Sequence, residues 1–431
     1  MTQQGTSRRR FLGGAAAAGV GLAAGVGVAA GYGIKSANDA GDGSAEGDPS
    51  AVDSETARAQ AMVPFYGDRQ AGITTSQQER LMFAALDVTA TDVGELTLML
   101  GRWAAIAARL TAGKLVSDSP VRDEQPPFDT GEAMDLGPHS LTITVGFGPS
   151  LFDERFGLTG RMPAELAPFG TIPGDAVMKP AISDGDLCIQ ACADDPQVVF
   201  HAIRNMVRAA RGTAVLKWSQ LGFGRASATG AGQSTPRNLM GFNDGTNNIH
   251  ADDTTTLEQQ VWVSAPAGNW MVNGSYLVAR KIRMEIESWD TDRLSDQERI
   301  FARHKVTGAP LTGGDEFTPV DFAATDGAGN PVIDVNSHVR LASPEQNGGL
   351  RLLRRGYNYT DGQDPDTGKL AAGLFFVAFQ RDPQAQFKVL QTRLGKSDLL
   401  REYIAHIGGG LWACPPGVSG AGDWFGKSLF A

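Results

Sequence analysis

One short stretch, Gly241–Asn248, has the sequence GFNDGTNN and contains a single acid, Asp244. Asn-Asp-Gly is common turn chemistry, so a tight turn is one interpretation of this stretch. The other interpretation is that small residues let the backbone approach a large, flat ligand, with the carboxylate of Asp244 directed at it. The stretch alone leaves both interpretations open.

A second chemically active residue is His338, which precedes Arg340 by two positions. The six histidines of the chain are scattered, whereas a multi-histidine zinc or copper site requires pairs at short spacing. A haem needs only one protein ligand on its proximal side. His338 is the best candidate for that ligand, because Arg340 could meet a haem propionate. From the residues alone, an ordinary surface or capping histidine stays the alternative.

Two adjacent arginines, Arg354 and Arg355, lead from an apolar run into a segment of glycine and tyrosine. Successive strand residues point to opposite faces, so one of the two arginines is expected to point inward. An inward guanidinium needs an anionic partner or a functional reason. A surface ion pair is the alternative.

The elements that must position these residues follow a repeated pattern. Periodicity in the first half predicts the order β-α-β-β-α-β, the ferredoxin-like split arrangement. Its predicted strands are 81–88, 141–147, 187–193 and 214–221, and its helices are 93–110 and one that Asp195 caps ahead of Pro196.

The second half repeats this pattern as far as a second Asp-Pro-Gln motif. The predicted strands are 276–286, 350–359 and 374–379, and the helices are 295–303 and one capped by Asp382. Asp195–Phe200 and Asp382–Phe387 are similar in sequence. The chain is therefore predicted to be α+β, with two ferredoxin-like (β-α-β-β-α-β) domains and antiparallel sheets, divided within the Gly/Ser/Thr-rich segment 227–235.

The motifs together resemble those of dye-decolorising (DyP-type) haem peroxidases, in the twin-arginine-exported branch that includes deferrochelatase-like proteins. Gly241–Gly245 matches the GxxDG motif of that family, and the histidine segment 337–342 and the arginine segment 354–359 follow in the family order. Thr144–Leu151 and Gly185–Gln190 are also similar to family stretches. The resemblance covers essentially the whole chain after its N-terminal segment, and it favours the functional interpretations of Asp244, His338 and Arg354.

The resemblance implies one haem b per chain, in a pocket mainly in the second domain, with His338 as the iron ligand. Asp244 would carry a proton from peroxide, and Arg354 would stabilise the developing charge. Arg354 is preferred to Arg355 because the family pattern resembles R-x-G. Asp398 would accept the second N–H of His338, with Glu402 as the alternative. The residues expected to contact the haem are Gly245, Thr246, Asn247, His338, Arg340, Ser343 and Arg354.

The implied function is reduction of hydrogen peroxide with oxidation of dye-like or phenolic donors, which are small molecules or proteins. A carboxylate as proton carrier implies an acidic working range. The alternative function is release of iron from haem, with membrane-associated iron-uptake components as partners. The net charge of −10 argues against a nucleic-acid partner.

The N-terminus predicts export. Ser7–Leu12 matches the twin-arginine signal, and an uncharged apolar run follows it. The predicted segments are a signal peptide and tether at 1–58, an N-terminal domain at 59–230 and a haem-binding domain at 231–431. The exported protein is predicted to be located outside the cytoplasmic membrane. Export does not come with a disulfide framework, since the three cysteines are expected to be buried and free.

Changing Arg8 and Arg9 together to lysine should leave the protein in the cytoplasm, because the twin-arginine route recognises the arginine pair. Fractionation of cells that express the wild type and the double variant measures this. Unchanged export of the variant would contradict the predicted route.

Overall fold

The computed structural model describes residues 56–120, 122–230, 232–264 and 269–431. The predicted export signal and most of the predicted tether lie outside the described residues. None of the described helices combines the length and apolar composition that a membrane crossing requires.

The described residues form nine strands and seven α-helices. The strands are β1 (Arg80–Val88), β2 (Thr142–Phe147), β3 (Leu187–Ala193), β4 (Ala214–Arg225), β5 (Ser275–Met284), β6 (Leu353–Arg354), β7 (Tyr357–Gln363), β8 (Leu370–Gln380) and β9 (Ile404–Cys414). The helices are α1 (Val93–Leu110), α2 (Pro196–Ala209), α3 (Thr254–Gln260), α4 (Ile286–Trp289), α5 (Leu294–Phe301), α6 (His338–Ala342) and α7 (Phe387–Ser397).

The strands pair in two antiparallel groups of four, in the orders β2-β3-β1-β4 and β7-β8-β5-β9. Each group has the strand order of a ferredoxin-like sheet. The predicted fold class, α+β with ferredoxin-like antiparallel sheets, is therefore confirmed. The sequence did not predict that the groups also pair with each other, at Phe147 with Ala413 and at Phe223 with Asn358, which closes eight strands into a ring.

The ring encloses an apolar core that is rich in aromatic side chains. Phe83 lies at its centre, with ring centroids 5.2 Å from Trp218, 5.3 Å from Trp412 and 5.4 Å from Phe375. The three cysteines are buried and free, as predicted, and Cys188, Cys192 and Cys414 all belong to this core. Burial raises the pKa of the Cys188 thiol well above its usual value, so this sulfur stays protonated.

The first half follows its prediction closely, because local signals are strong there. The carboxylate of Asp195 accepts hydrogen bonds from the backbone N–H groups of Gln197 and Val198 at 2.7 and 3.0 Å, and α2 begins at Pro196. This is the predicted N-cap.

The second half departs from its prediction at its helix start. Helix α7 begins at Phe387 and not directly after Pro383. The carboxylate of Asp382 accepts from the N–H groups of Gln384 and Ala385, both at 2.9 Å, so it closes a separate turn ahead of the helix. The Asp-Pro-Gln motif therefore marks a turn in this half and a helix start in the other.

Two strands also differ from the prediction. The strand expected over 350–359 is interrupted at Arg355 and Gly356, so it forms β6 and β7 along the same edge of β8. The last strand, β9, was not predicted, because its segment Gly408–Gly410 has no apolar alternation. This strand fills the position beside β5 that completes the second ferredoxin-like order.

Gly409 is a sharp test of how β9 fits against β5. Its φ is +134°, and a Cβ at this position would lie 2.1 Å from the carbonyl oxygen of Ala279. Gly409→Ala should therefore lower the free energy of unfolding by at least about 2 kcal/mol. Gly420→Ala is the matched control, since a Cβ there meets no atom within 4 Å. Denaturant unfolding of both variants measures the difference, and equal stability would contradict the tight approach.

Candidate active site

A cavity of about 550 Å³ lies on the outer face of the second group of strands, β7-β8-β5-β9, which is called the second sheet below. The sheet contributes alternate residues to its wall, including Ile282 from β5 and Leu374 and Phe376 from β8. Phe375 and Val377, the residues between and beyond them, point instead into the core of the ring. Helices α6 and α7 and the segment that contains Asp244 supply the other walls.

Asp244 and Arg354 form an ion pair in the cavity wall. The Nη1 of Arg354 donates to Oδ1 of Asp244 at 2.5 Å, and the amide of Asn238 donates to Oδ2 at 3.2 Å. The side chain of Asp244 is 14% exposed and that of Arg354 is 31% exposed. The carboxylate is thus fixed from two sides while the pair remains open to the cavity.

Backbone contacts hold this pair in place. The side chain of Asn248 donates to the carbonyl of Arg354 at 2.8 Å and accepts from its N–H at 2.9 Å. The side chain thus satisfies the two backbone groups that would otherwise pair with a neighbouring strand. Gly245, directly after Asp244, has a φ of +107°. A Cβ on Gly245 would lie 2.9 Å from the backbone nitrogen of Ala228, so this close approach requires glycine.

The neighbouring arginine points the other way. Arg355 is fully buried, and its guanidinium donates to the carbonyl of Thr75, to Oγ1 of Thr229 and to Oε1 of Gln78. Arg354 lines the cavity and Arg355 does not. Alternation along the strand therefore divides the two arginines between the cavity and the interior.

His338 is the first residue of α6 and lines the cavity from the helical side. Its Nδ1 lies 2.6 Å from Oδ2 of Asp398, the residue directly after α7. Oδ1 of Asp398 also accepts from the N–H of Leu400 at 2.9 Å, which fixes the carboxylate. Burial would lower the pKa of His338, but the charge of Asp398 and its hydrogen bond outweigh burial and raise the pKa above its ordinary value.

Most of the other residues predicted to contact the haem also line this cavity. Gly245, Thr246, Asn247 and Ser343 all line the cavity. Glu402, the alternative to Asp398, lines a separate small surface depression instead.

The contacts of Arg340 differ from those of the other residues that were expected to meet the haem, and its contact with a propionate stays a prediction. Its guanidinium donates to the carbonyls of Phe322 and Ile333 at 3.0 and 3.3 Å and does not line the cavity. In the short helix α6, Arg340 is two residues from His338 and so points to a different side. The sequence spacing had suggested that both residues meet one ligand.

Several cavity residues were not predicted from the sequence. Arg351 lines the cavity, and its Nη2 donates to Oδ1 of Asn247 at 2.6 Å. Among the described residues, no carboxylate lies within ion-pair distance of Arg351. Leu374 and Phe376 were recognised only as strand residues, although their alternation could have placed them together on one face.

Comparison with known proteins assigns the class of this molecule. Residues 70–224 match the model of the N-terminal domain of Dyp-type peroxidases, and residues 235–419 match the model of the C-terminal domain. The chain therefore belongs to the Dyp-type peroxidase family, and the prediction of a peroxidase enzyme is confirmed.

Particular relatives show the same similarity over most of the chain. The deferrochelatase of Escherichia coli strain K12 is 39% identical over 374 residues, which cover 85% of this chain and 86% of the relative. The structure of a DyP-type peroxidase from Streptomyces coelicolor is 39% identical with a TM-score of 0.79, and covers 87% of this chain and 99% of that one. Ferric DtpA from Streptomyces lividans is 38% identical with a TM-score of 0.80, over 87% and 98%.

The two adjacent arginines should differ in their effect on stability. Arg355→Ala removes the donor to three acceptors, two of them in buried hydrogen bonds, and leaves a cavity, so it should cost roughly 2–4 kcal/mol of unfolding free energy. Arg354→Ala, the matched control, breaks a partly exposed ion pair and should cost less than about 1 kcal/mol. Thermal or denaturant unfolding of the two variants gives the comparison. An Arg354→Ala variant as unstable as Arg355→Ala would show that Arg354 has mainly a structural role.

Proposed function

We propose that this chain is a haem-dependent peroxidase that reduces hydrogen peroxide and oxidises dye-like or phenolic donors after twin-arginine export. The observation that carries the proposal is that the Asp244–Arg354 pair and the His338–Asp398 pair line the same cavity. An acid from a loop and a fixed cation from β6 share this cavity with an anchored imidazole from α6. This is the set of groups that a haem peroxidase requires.

The residues of the cavity fit one haem b. Apolar side chains such as Leu374 and Phe376 suit a porphyrin face, and the volume of about 550 Å³ lies in the usual range for cofactor pockets. DtpA from Streptomyces lividans is a ferric protein that forms an oxyferrous complex. Gly245, Thr246, Asn247, Ser343 and Arg354 are the predicted residues that would surround the haem. Arg351 would take the place of Arg340 as a cationic partner for a propionate.

His338 would hold the iron through Nε2, because its Nδ1 is engaged by Asp398. The haem, when bound, supplies the iron centre at which hydrogen peroxide is reduced. Asp244 would accept a proton from the near oxygen of peroxide and deliver it to the far oxygen, which leaves as water. Arg354 would stabilise the negative charge that develops on the departing oxygen.

A second function has support from the relatives. The deferrochelatase of Escherichia coli is 39% identical to this chain, so release of iron from haem, with membrane-associated iron-uptake components as partners, is the alternative. Peroxide turnover with a phenolic donor favours the first function. Appearance of iron-free porphyrin after haem is supplied, without turnover, favours the second.

His338→Ala should largely lose bound haem, because it removes the only protein ligand proposed for the iron. Absorption spectra of the purified wild type and variant measure the Soret band relative to protein. His304→Ala is the matched control, since His304 also pairs with an acid, Glu298, but does not line the cavity. Wild-type haem content in His338→Ala would contradict the assignment.

The two groups of the sheet side should affect rate more than haem binding. Asp244→Ala removes a proton carrier, and the spectral change after mixing with peroxide should slow about 10²–10⁴-fold. Arg354→Leu removes a fixed charge, worth about 10²–10³-fold in other enzymes. We expect Arg354 to matter more within these overlapping ranges, since water can partly replace a base but not a fixed cation. Stopped-flow spectroscopy tests this, and wild-type rates in both variants would remove these residues from the mechanism.

A further inference from the structure

A second histidine–carboxylate pair lies in the wall of the same cavity. Nδ1 of His406 lies 2.9 Å from Oδ1 of Asp175, and Nη2 of Arg280 donates to Oδ2 of Asp175 at 3.1 Å. The side chains of His406, Asp175 and Arg280 are only 7%, 12% and 4% exposed. His406 and Arg280 line the cavity, yet the proposed peroxide chemistry uses neither.

This cluster is distant from the ion pair of Asp244 and Arg354. Across the sheet, Arg354 on β6 is opposite Ala378 on β8, and Ala378 is opposite Val278 on β5. His406 lies one strand further, on β9, and is paired with Ile282 rather than Val278. Three strand spacings are roughly 14 Å and four residues along a strand roughly 13 Å, so the two groups occupy different ends of the cavity.

The cluster is also displaced from His338. Gln391 lies in the middle of α7, and its amide is 3.5 Å from the ring of His406. Asp398, the partner of His338, comes seven residues later, which is about 10 Å along a helix axis. His406 is therefore set apart from the position at which His338 would hold the iron.

A bulge in β9 turns His406 toward the cavity. Lys281 of β5 is paired with Gly408, but the next residue, Ile282, is paired with His406. Ile407 is thus the extra residue. Without it, Ile407 would be opposite Ile282 and would occupy the cavity face, and His406 would point away.

The protonation pattern at this end of the cavity follows from its charges. Burial would raise the pKa of Asp175, but hydrogen bonds from His406 and Arg280 and the charge of Arg280 outweigh burial and hold that pKa below its usual value. Asp175 is therefore ionised and accepts the Nδ1–H of His406. Among the described residues, Nε2 of His406 has no hydrogen-bond partner, so in the neutral imidazole that donates Nδ1–H to Asp175, Nε2 offers a lone pair to the cavity.

The surrounding side chains limit what can bind there. Phe376 from β8 and Phe387, Leu390 and Leu394 from α7 form apolar walls. Arg280 already has Asp175 as its counter-charge, so a second carboxylate would meet repulsion from Asp175. A flat apolar ring that carries one hydroxyl donor satisfies both the walls and the free Nε2.

We propose that this end of the cavity, defined by His406, Phe376, Phe387, Leu390 and Leu394, is a binding subsite for phenols. The proposal rests on the proposed peroxidase function. The phenol O–H donates to Nε2 of His406, which takes the proton as the phenol loses one electron to the oxidant formed from peroxide. Two phenols and one hydrogen peroxide give two phenoxyl radicals and two waters, so atoms and electrons balance.

Titration calorimetry of the haem-loaded protein, without peroxide, tests the subsite with 4-fluorophenol and with 4-fluoroanisole, which lacks the hydroxyl. The wild type should bind 4-fluorophenol at least tenfold more tightly than 4-fluoroanisole. His406→Leu should remove that preference, because the hydroxyl loses its acceptor. Leu394→Trp, which fills the subsite and leaves His406 intact, should weaken both ligands at least tenfold. His304→Leu is the matched control and should bind both ligands as the wild type does.

Two results would overturn the subsite. One is an unchanged preference for 4-fluorophenol in His406→Leu. The other is loss of haem in His406→Leu while His304→Leu retains it, which would assign this end of the cavity to the haem itself. Failure of the wild type to take up haem would instead contradict the proposed function. In that case calorimetry on the haem-free chain still measures whether His406 is needed for the preference for 4-fluorophenol over 4-fluoroanisole.

Discussion

Neighbouring residues of a β-strand point to opposite faces, and in the second sheet this separates a sealed core from a reactive cavity. Phe375 packs against Phe83 inside the ring, while Leu374 and Phe376 on either side of it line the cavity. The same rule divides Arg354 from Arg355. Because the strand residues of the cavity have neighbours fixed in a close-packed core, the sheet side of the cavity has little freedom to rearrange.

The acids of the cavity have different properties because their partners differ. Asp244 faces a permanent cation, Arg354, and both side chains remain accessible from the cavity. Asp398 is 4% exposed and faces His338, whose charge depends on protonation. The first arrangement suits proton movement near a fixed charge, and the second suits anchoring of an imidazole whose other nitrogen is left for a ligand. Each acid is also held by backbone contacts, so its partner and not its own flexibility determines its role.

Local signals in the sequence predicted many of the helices and strands of this molecule. Pairing between distant segments could not be predicted from such signals. The N-cap Asp195 and helix 93–110 were predicted because capping and periodicity act over a few residues. The GxxDG and arginine motifs singled out Asp244 and Arg354 through family resemblance. Strand β9 was missed because its glycines have no side chains to alternate. They are needed for close approaches between distant segments, such as Gly408 to Ile182 and Gly409 to Ala279 of β5. That Arg340 does not line the cavity could not be predicted, because spacing along the chain does not say which side of a short helix faces the cavity.

The sequence did not identify three of the polar cavity residues, Arg351, Arg280 and His406. Their roles depend on contacts with residues that are distant in the sequence. Once paired, they give the two ends of the cavity different charge balances. Arg351 has no ion-pair partner among the described residues, whereas Asp175 offsets the charge of Arg280. A flat cofactor with acidic groups along one edge would therefore direct that edge toward Arg351 and away from Asp175. The phenol subsite proposed beside His406 would then lie at the end of the cavity away from the acidic edge of the cofactor.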